Sequence, residues 1–180
     1  LRAAIAHYQF ETIHPFLDGN GRVGRLLIPL YLVDRGLLEK PSLYLSDFFE
    51  RNRGAYYDAL TRVRTSNDLG QWVRFFLTGL AETARKGRDT FRRILDLRAE
   101  MEQVLDEFGR SAPAARKMVE HMYLEPIVSA NQLVDRLRVS APTANKLIRR
   151  LVAMGVIKEI TGFRRNRLFL FDRYFRLFLN

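Results

Sequence analysis

Between Ile13 and Val23 the chain sets Pro15, Gly19 and Gly21 among two stretches of helical periodicity. Proline cannot donate to a helix and glycine weakens one, so the two stretches cannot be a single rod. They must be two helices joined by a short, backbone-rich loop. Upstream, Ala3, Ala4, His7, Phe10 and Ile13 recur at three- and four-residue spacing, which predicts a helix over residues 1–13 packed on one face. Downstream, Val23, Leu26, Leu27, Leu30 and Tyr31 leave almost no polar face, which predicts a helix central to the core, ended by Gly36.

The loop itself, HPFLDGNGRVGR from His14 to Arg25, brings together residue types that suit phosphate chemistry. A glycine-rich turn feeding a helix presents free backbone N–H groups and the positive end of the helix dipole to an anion. Arg22 and Arg25, near the start of the second helix, add two charges, and a guanidinium can grip a phosphate through two parallel hydrogen bonds. Asp18 offers a hard oxygen next to this cradle, the ligand Mg²⁺ takes when phosphate and water fill the rest of its shell. Histidine can take a proton from an attacking hydroxyl near neutral pH, which makes His14 a candidate base. Singly, each has an ordinary explanation: a cap or core residue for His14, an N-cap for Asp18, a plain turn for Gly-Asn-Gly. Their occurrence in this order within twelve residues points to phosphoryl or nucleotidyl transfer.

The string resembles the loop of the Fic family, HPFx[D/E]GNGRxxR, at every fixed position. SDFFERNRGAYYDAL and WVRFFLTGL are also similar to the helices that follow this loop in Fic proteins, so the likeness extends over roughly residues 1–90. The resemblance implies a transfer of AMP from ATP to a Ser, Thr or Tyr hydroxyl of a target protein. By it, His14 is the general base and Asp18 holds Mg²⁺. Gly19, Asn20, Gly21, Arg22, Gly24 and Arg25 belong to the nucleotide-binding loop. Asn52 and Tyr56 on the next helix border the nucleoside, and Phe16 is a buried anchor for the loop. Two parts of the wider Fic pattern are not found: the hairpin flap before the loop, and an inhibitory [S/T]xxxE[G/N] helix. SDFFER has the Ser and Glu spacing but Arg51 in the last place. Competing readings are transfer of UMP, phosphocholine or a phosphate, and a DNA-binding regulator whose loop only senses nucleotide.

The chain opens at Leu1 inside a helical pattern and reads as the C-terminal part of a longer polypeptide. Ser46 or Asp47 is placed to cap one helix through SDFFERNRGAYYDALTRVR, and a long helical stretch runs from Gln71 to about Phe108. GRSAPA at Gly109–Ala114 is the expected domain boundary, giving residues 1–110 and 111–180. The second segment reads helix, helix, helix, hairpin, with Ser129 and Ser140 as N-caps and Gly155 as a stop. The fold class is thus mainly α: a Fic-type helical core followed by a winged helix-turn-helix with a small β-hairpin wing.

Charge separates the segments. Residues 1–110 carry 17 Lys and Arg against 15 Asp and Glu, whereas residues 111–180 carry 13 against 5. Such an excess suits a polyanion. A winged helix bound to DNA would present Thr143, Asn145, Lys146, Arg149 and Arg150 to the major groove, and Arg164, Arg165 and Arg167 of the wing to phosphates. The other use of such a module is dimerisation or target docking, giving a homodimer. Cysteine is absent, which excludes a disulfide framework or a thiolate site and fits a reducing cytoplasm. No apolar run approaches the length of a membrane-spanning helix.

Overall fold

The computed structural model describes residues 1–179. The chain divides into two compact units, Leu1–Asp89 and Thr90 onward. Among the described residues, no helix is long and apolar enough to cross a membrane.

The first unit is helical. Helix α1 (Arg2–Ile13) and α2 (Asn20–Asp34) lie side by side, as the intervening loop requires. α2 begins at Asn20, so the Gly-Asn-Gly turn forms its first turn rather than preceding it. The expected all-round burial of α2 is not what the chain does: Ile28, Pro29 and Leu32 are buried, whereas Leu26, Leu27 and Leu30 are exposed. The single helix expected after Pro41 is two, α3 (Ser46–Arg51) and α4 (Arg53–Ser66). The break is at Asn52, whose amide turns back to donate to the Phe48 carbonyl at 2.9 Å, and no side chain caps α3. Phe48, Phe49, Tyr56, Trp72 and Phe76 form an aromatic core, pinned to α1 by the Trp72 indole N–H bonded to the Ala4 carbonyl at 2.9 Å. Burial of several large rings dominates the stability of a unit this small, at about 1.5–3 kcal/mol for each large apolar side chain.

Helix α5 (Leu69–Asp106) contains the division between units. Asp68 accepts the Gln71 N–H at 3.0 Å near its start. The division therefore falls upstream of the Gly109–Ala114 turn. The reason is the stripe Leu97, Met101 and Leu105, which packs into the core of the second unit.

That second unit has the order expected of a winged helix: α6 (Ala112–Leu124), β1 (Ile127–Ser129), α7 (Ala130–Leu137), α8 (Ala141–Ala153), β2 (Lys158–Glu159), β3 (Leu168–Leu170) and α9 (Asp172–Arg176). The sheet is antiparallel with order β1-β3-β2, Val128 and Glu159 both facing Phe169 in register. β1 is an addition to the expected hairpin, since three residues carry no readable alternation. Ser129 and Gln132 make a capping box on α7, and Ser140 accepts the Thr143 N–H at 3.4 Å on α8.

Candidate active site and candidate nucleic-acid interface

Helix α1 stops at His14, which adopts a left-handed conformation (φ 50°, ψ 57°) while its N–H still bonds to the Phe10 carbonyl at 3.0 Å. Pro15 follows and forbids continuation. The helix end therefore delivers His14, exposed, to the mouth of the loop.

What holds the loop is Asn20. Its side-chain carbonyl accepts the Phe16 N–H at 2.9 Å, and its amide donates to the Phe16 carbonyl at 2.6 Å. Asn20 is buried, whereas the Phe16 ring is 50% exposed, lying 6.2 Å from Phe10. The anchor is thus the asparagine amide and not the phenylalanine. Sequence reasoning counted only the Asn20 backbone. A cue was available: asparagine can satisfy both the N–H and the C=O of one distant peptide group.

Gly19 (φ 83°) turns the chain into α2, and Val23 donates to the Gly19 carbonyl at 3.0 Å as the first bond of the helix. The preceding N–H groups of Asn20, Gly21 and Arg22 have no place in the helical ladder. Both arginines fold over this end. A Cβ at Gly19 would lie 3.3 Å from an Arg22 guanidinium nitrogen, and one at Gly21 would lie 3.2 Å from that of Arg25. Arg22 also pairs with Asp18 at 3.0 Å, with side chains 75% and 91% exposed. A pair so open to water contributes at most about 1 kcal/mol and is readily exchanged for a phosphate or a metal ion.

Gly24 stands apart. It is buried against α1, where a Cβ would come within 2.2 Å of Glu11 Oε1, and its carbonyl accepts the ring N–H of His7 at 2.9 Å. It serves the packing of α2 on α1. Among the described residues Glu11 Oε1 is buried without a hydrogen-bond partner, and burial holds its carboxyl above the usual carboxylate range, against the opposing fields of Arg25, His14 and Arg64.

His7 was legible only as one member of an apolar stripe. It is buried and stacked between Phe49 (5.6 Å) and Trp72 (5.9 Å). Because Nδ1 bonds to a carbonyl, it carries the proton, and Nε2 accepts the Tyr56 hydroxyl at 3.0 Å. Burial pushes the His7 pKa down to about 4 and pushes the Tyr56 phenol up. Tyr56 thus gives its hydroxyl to the core, while its ring edges a polar recess beside Arg25, Arg53 and Tyr57. Asn52 does not line that recess; its amide is bonded to Phe48.

In the second unit the cations sort into free and engaged. Lys146 and Arg149 are exposed on α8. Arg150, expected on the groove-facing side, instead stacks its guanidinium 4.2 Å from the Phe108 ring and donates to the carbonyls of Glu107 and Phe108. The Thr143 and Ser140 hydroxyls share a bond at 2.9 Å, and the Asn145 amide donates to Ala141 at 2.9 Å. Arg164 and Arg165 lie exposed in the wing, while Arg167 pairs with Glu159 at 3.5 Å.

Residues 1–32 match the family model of the Fic/DOC family, and residues 113–158 match that of the winged helix-turn-helix DNA-binding family. The chain thus carries a stretch similar to the Fic/DOC family ahead of one similar to winged helix-turn-helix DNA-binding domains. Over 74 residues it is 42% identical to a protein adenylyltransferase, fic-1, of Caenorhabditis elegans, a match covering 41% of this chain and 13% of that protein. Over 59 residues it is 48% identical to a probable protein adenylyltransferase of Aquifex aeolicus, covering 33% of this chain and 16% of the relative. A protein adenylyltransferase Fic of Aedes aegypti is 41% identical over 73 residues, 41% of this chain and 13% of that protein. The chain therefore spans a small fraction of the length of these relatives.

Proposed function

We propose that the Fic segment forms the nucleotide-handling part of a protein adenylyltransferase, moving AMP from ATP to a hydroxyl of a target protein. One observation carries the reading: the open N–H groups at the start of α2 lie beneath the guanidiniums of Arg22 and Arg25, with Asp18 and His14 on the loop that leads there. Such an end suits a polyphosphate. The similar proteins of Caenorhabditis elegans and Aquifex aeolicus are named as a protein adenylyltransferase and a probable one.

In this reading His14 takes the proton of the incoming hydroxyl. The hydroxyl oxygen forms its bond to the α-phosphorus in line with the bond to the bridging oxygen, which breaks and releases pyrophosphate. Negative charge gathered on the phosphate oxygens is met by the α2 amides and by Arg25. Asp18 fits a role toward Mg²⁺: it is an exposed carboxylate whose only hydrogen-bond partner among the described residues, Arg22, reaches one of its two oxygens. Among the described residues no three acidic or histidine side chains gather to form a metal cage, so most ligands would come from phosphate and water. When bound, Mg²⁺ would neutralise charge on the phosphates.

The test is incubation of the chain, within its full-length protein, with α-labelled ATP and Mg²⁺ beside His14→Ala. Labelled protein from the wild type alone is the expected result, with the variant still binding ATP and losing roughly 10²–10⁴ in rate. Equal labelling by both removes His14 from the mechanism, and labelling only from UTP or another donor changes the transferred group. A second activity, DNA binding by residues 111–180, is favoured by their excess of cations and by the match to a DNA-binding family. In that reading the Fic loop would report nucleotide to a regulator.

A further inference from the structure

A recess in the second unit is formed where three elements meet: the start of α7 at Asn131, the side of α8 at Asn145, and the wing at Arg164 and Arg165. Every side chain that lines it is neutral or cationic, and no carboxylate is among them. Arg167, at its edge, is engaged with Glu159 and lies 5.4 Å from the Phe169 ring, so its charge is already balanced. Arg164 and Arg165 have no ion pair or hydrogen bond among the described residues. Two unbalanced guanidiniums together with Asn131 and Asn166, on one concave site with no acid present, make a seat for an anion.

The neighbouring face of α8 is poor in groups that read bases. Reading a base edge needs long donors held free in the groove. Thr143 and Asn145 bond back to the start of their own helix, and Arg150 is folded onto Phe108. Only Lys146 and Arg149, of the five side chains expected there, are left without such a tie.

We propose that the winged helix holds duplex DNA chiefly by its backbone, with one phosphate seated between Arg164, Arg165 and the Asn131 and Asn166 amides, so that binding is steep in salt and shallow in sequence. This deepens the DNA-binding reading above and rests on it.

The experiment is fluorescence anisotropy of the full chain with several duplexes of unrelated sequence, titrated across a range of KCl, for the wild type and the Arg164→Ala, Arg165→Ala double variant. Both side chains are exposed, and circular dichroism checks that the variant is folded. The wild type is expected to bind all duplexes within about tenfold of one another, well inside the roughly 10³-fold or greater preference of a sequence-specific protein. The double variant is expected to weaken binding on every sequence alike and to flatten the plot of log affinity against log salt by about 0.9, the value for one phosphate. An unchanged slope with binding intact overturns the phosphate seat and leaves DNA binding standing. A preference of about 10³-fold for one duplex overturns the weak-selectivity half. Absence of binding by the wild type to any duplex at low salt overturns the DNA reading itself.

Discussion

Asn20 holds Phe16 by both polar atoms of the backbone, accepting its N–H at 2.9 Å and donating to its C=O at 2.6 Å. That pair of bonds closes the loop between His14 and α2, so the position of the candidate base is set by a side chain committed to the loop's own backbone. Asn20→Ala leaves both Phe16 groups without their partner, at a cost of about 1–3 kcal/mol. The expected result is a loop with faster amide exchange at Phe16 and Leu17, and a transfer rate reduced by about ten- to a hundredfold. Hydrogen exchange followed by mass spectrometry, alongside the α-label assay, checks both. Exchange unchanged in the variant would show that the loop is held by something else.

His7 supplies a pH dependence whose sign follows from its burial. Its folded-state pKa is about 4 against an ordinary 6.5, so between those values the unfolded chain binds the proton more readily. Stability of the first unit is therefore full above about pH 6.5 and falls as pH drops toward 4, by about 1.4 kcal/mol per pH unit and about 3 kcal/mol in all. Glu11, whose carboxyl burial holds above the usual carboxylate range, works in the opposite sense. Trp72 is the single tryptophan and stacks on His7, so its fluorescence in urea reports this unit. The slope with pH is expected to shrink in His7→Gln. An equal slope in both proteins would assign the effect to other groups.

How much of this was legible in the sequence depended on whether a residue's role is local. The Gly19 and Gly21 turn, the two arginines one helical turn apart, and the Ser129 and Ser140 caps are all set by neighbours within four residues, and spacing alone placed them. His7 needed Gly24 and Tyr56, far along the chain. A histidine at an inward position of an apolar stripe does signal that a partner must exist, because buried polar groups are almost always bonded. It does not say which. Arg150 lies next to the inward Leu151, at the border of the apolar stripe, where periodicity cannot separate a free cation from one folded onto a ring. Strand β1 has three residues, too few for alternation to show.

Gly24 is buried against α1, and its glycine is a packing requirement. A Cβ placed there would meet Glu11 Oε1 at 2.2 Å and Phe10 Cδ1 at 3.1 Å. Gly24→Ala is expected to force the helices apart and to cost about 1–3 kcal/mol, as overpacking does elsewhere. Since the tighter contact is with one carboxylate, the Glu11→Ala background should relieve a good part of that cost. A double-mutant cycle in urea, read by Trp72 fluorescence, measures the coupling. Strict additivity of the two changes would mean that Phe10 or the α2 backbone, not Glu11, sets the limit.

Arg150 joins α8 to the end of α5 through the Phe108 ring and the carbonyls of Glu107 and Phe108. These carbonyls come just after the last turn of α5, where a cation is favoured by the helix dipole and by the acceptors left without N–H partners. Removing the guanidinium therefore loses a ring contact and two charge-assisted hydrogen bonds together. Arg150→Ala is expected to lower the stability of the second unit by about 1–3 kcal/mol. Arg150→Lys should recover only part, since an ammonium cannot stack flat on the ring and reach both carbonyls. Because the side chain faces protein, neither change should alter the salt dependence of DNA binding. Calorimetric unfolding of the variants, together with the salt titration, checks this. A shallower salt slope in a fully stable Arg150→Ala protein would place that guanidinium on a phosphate and overturn the assignment.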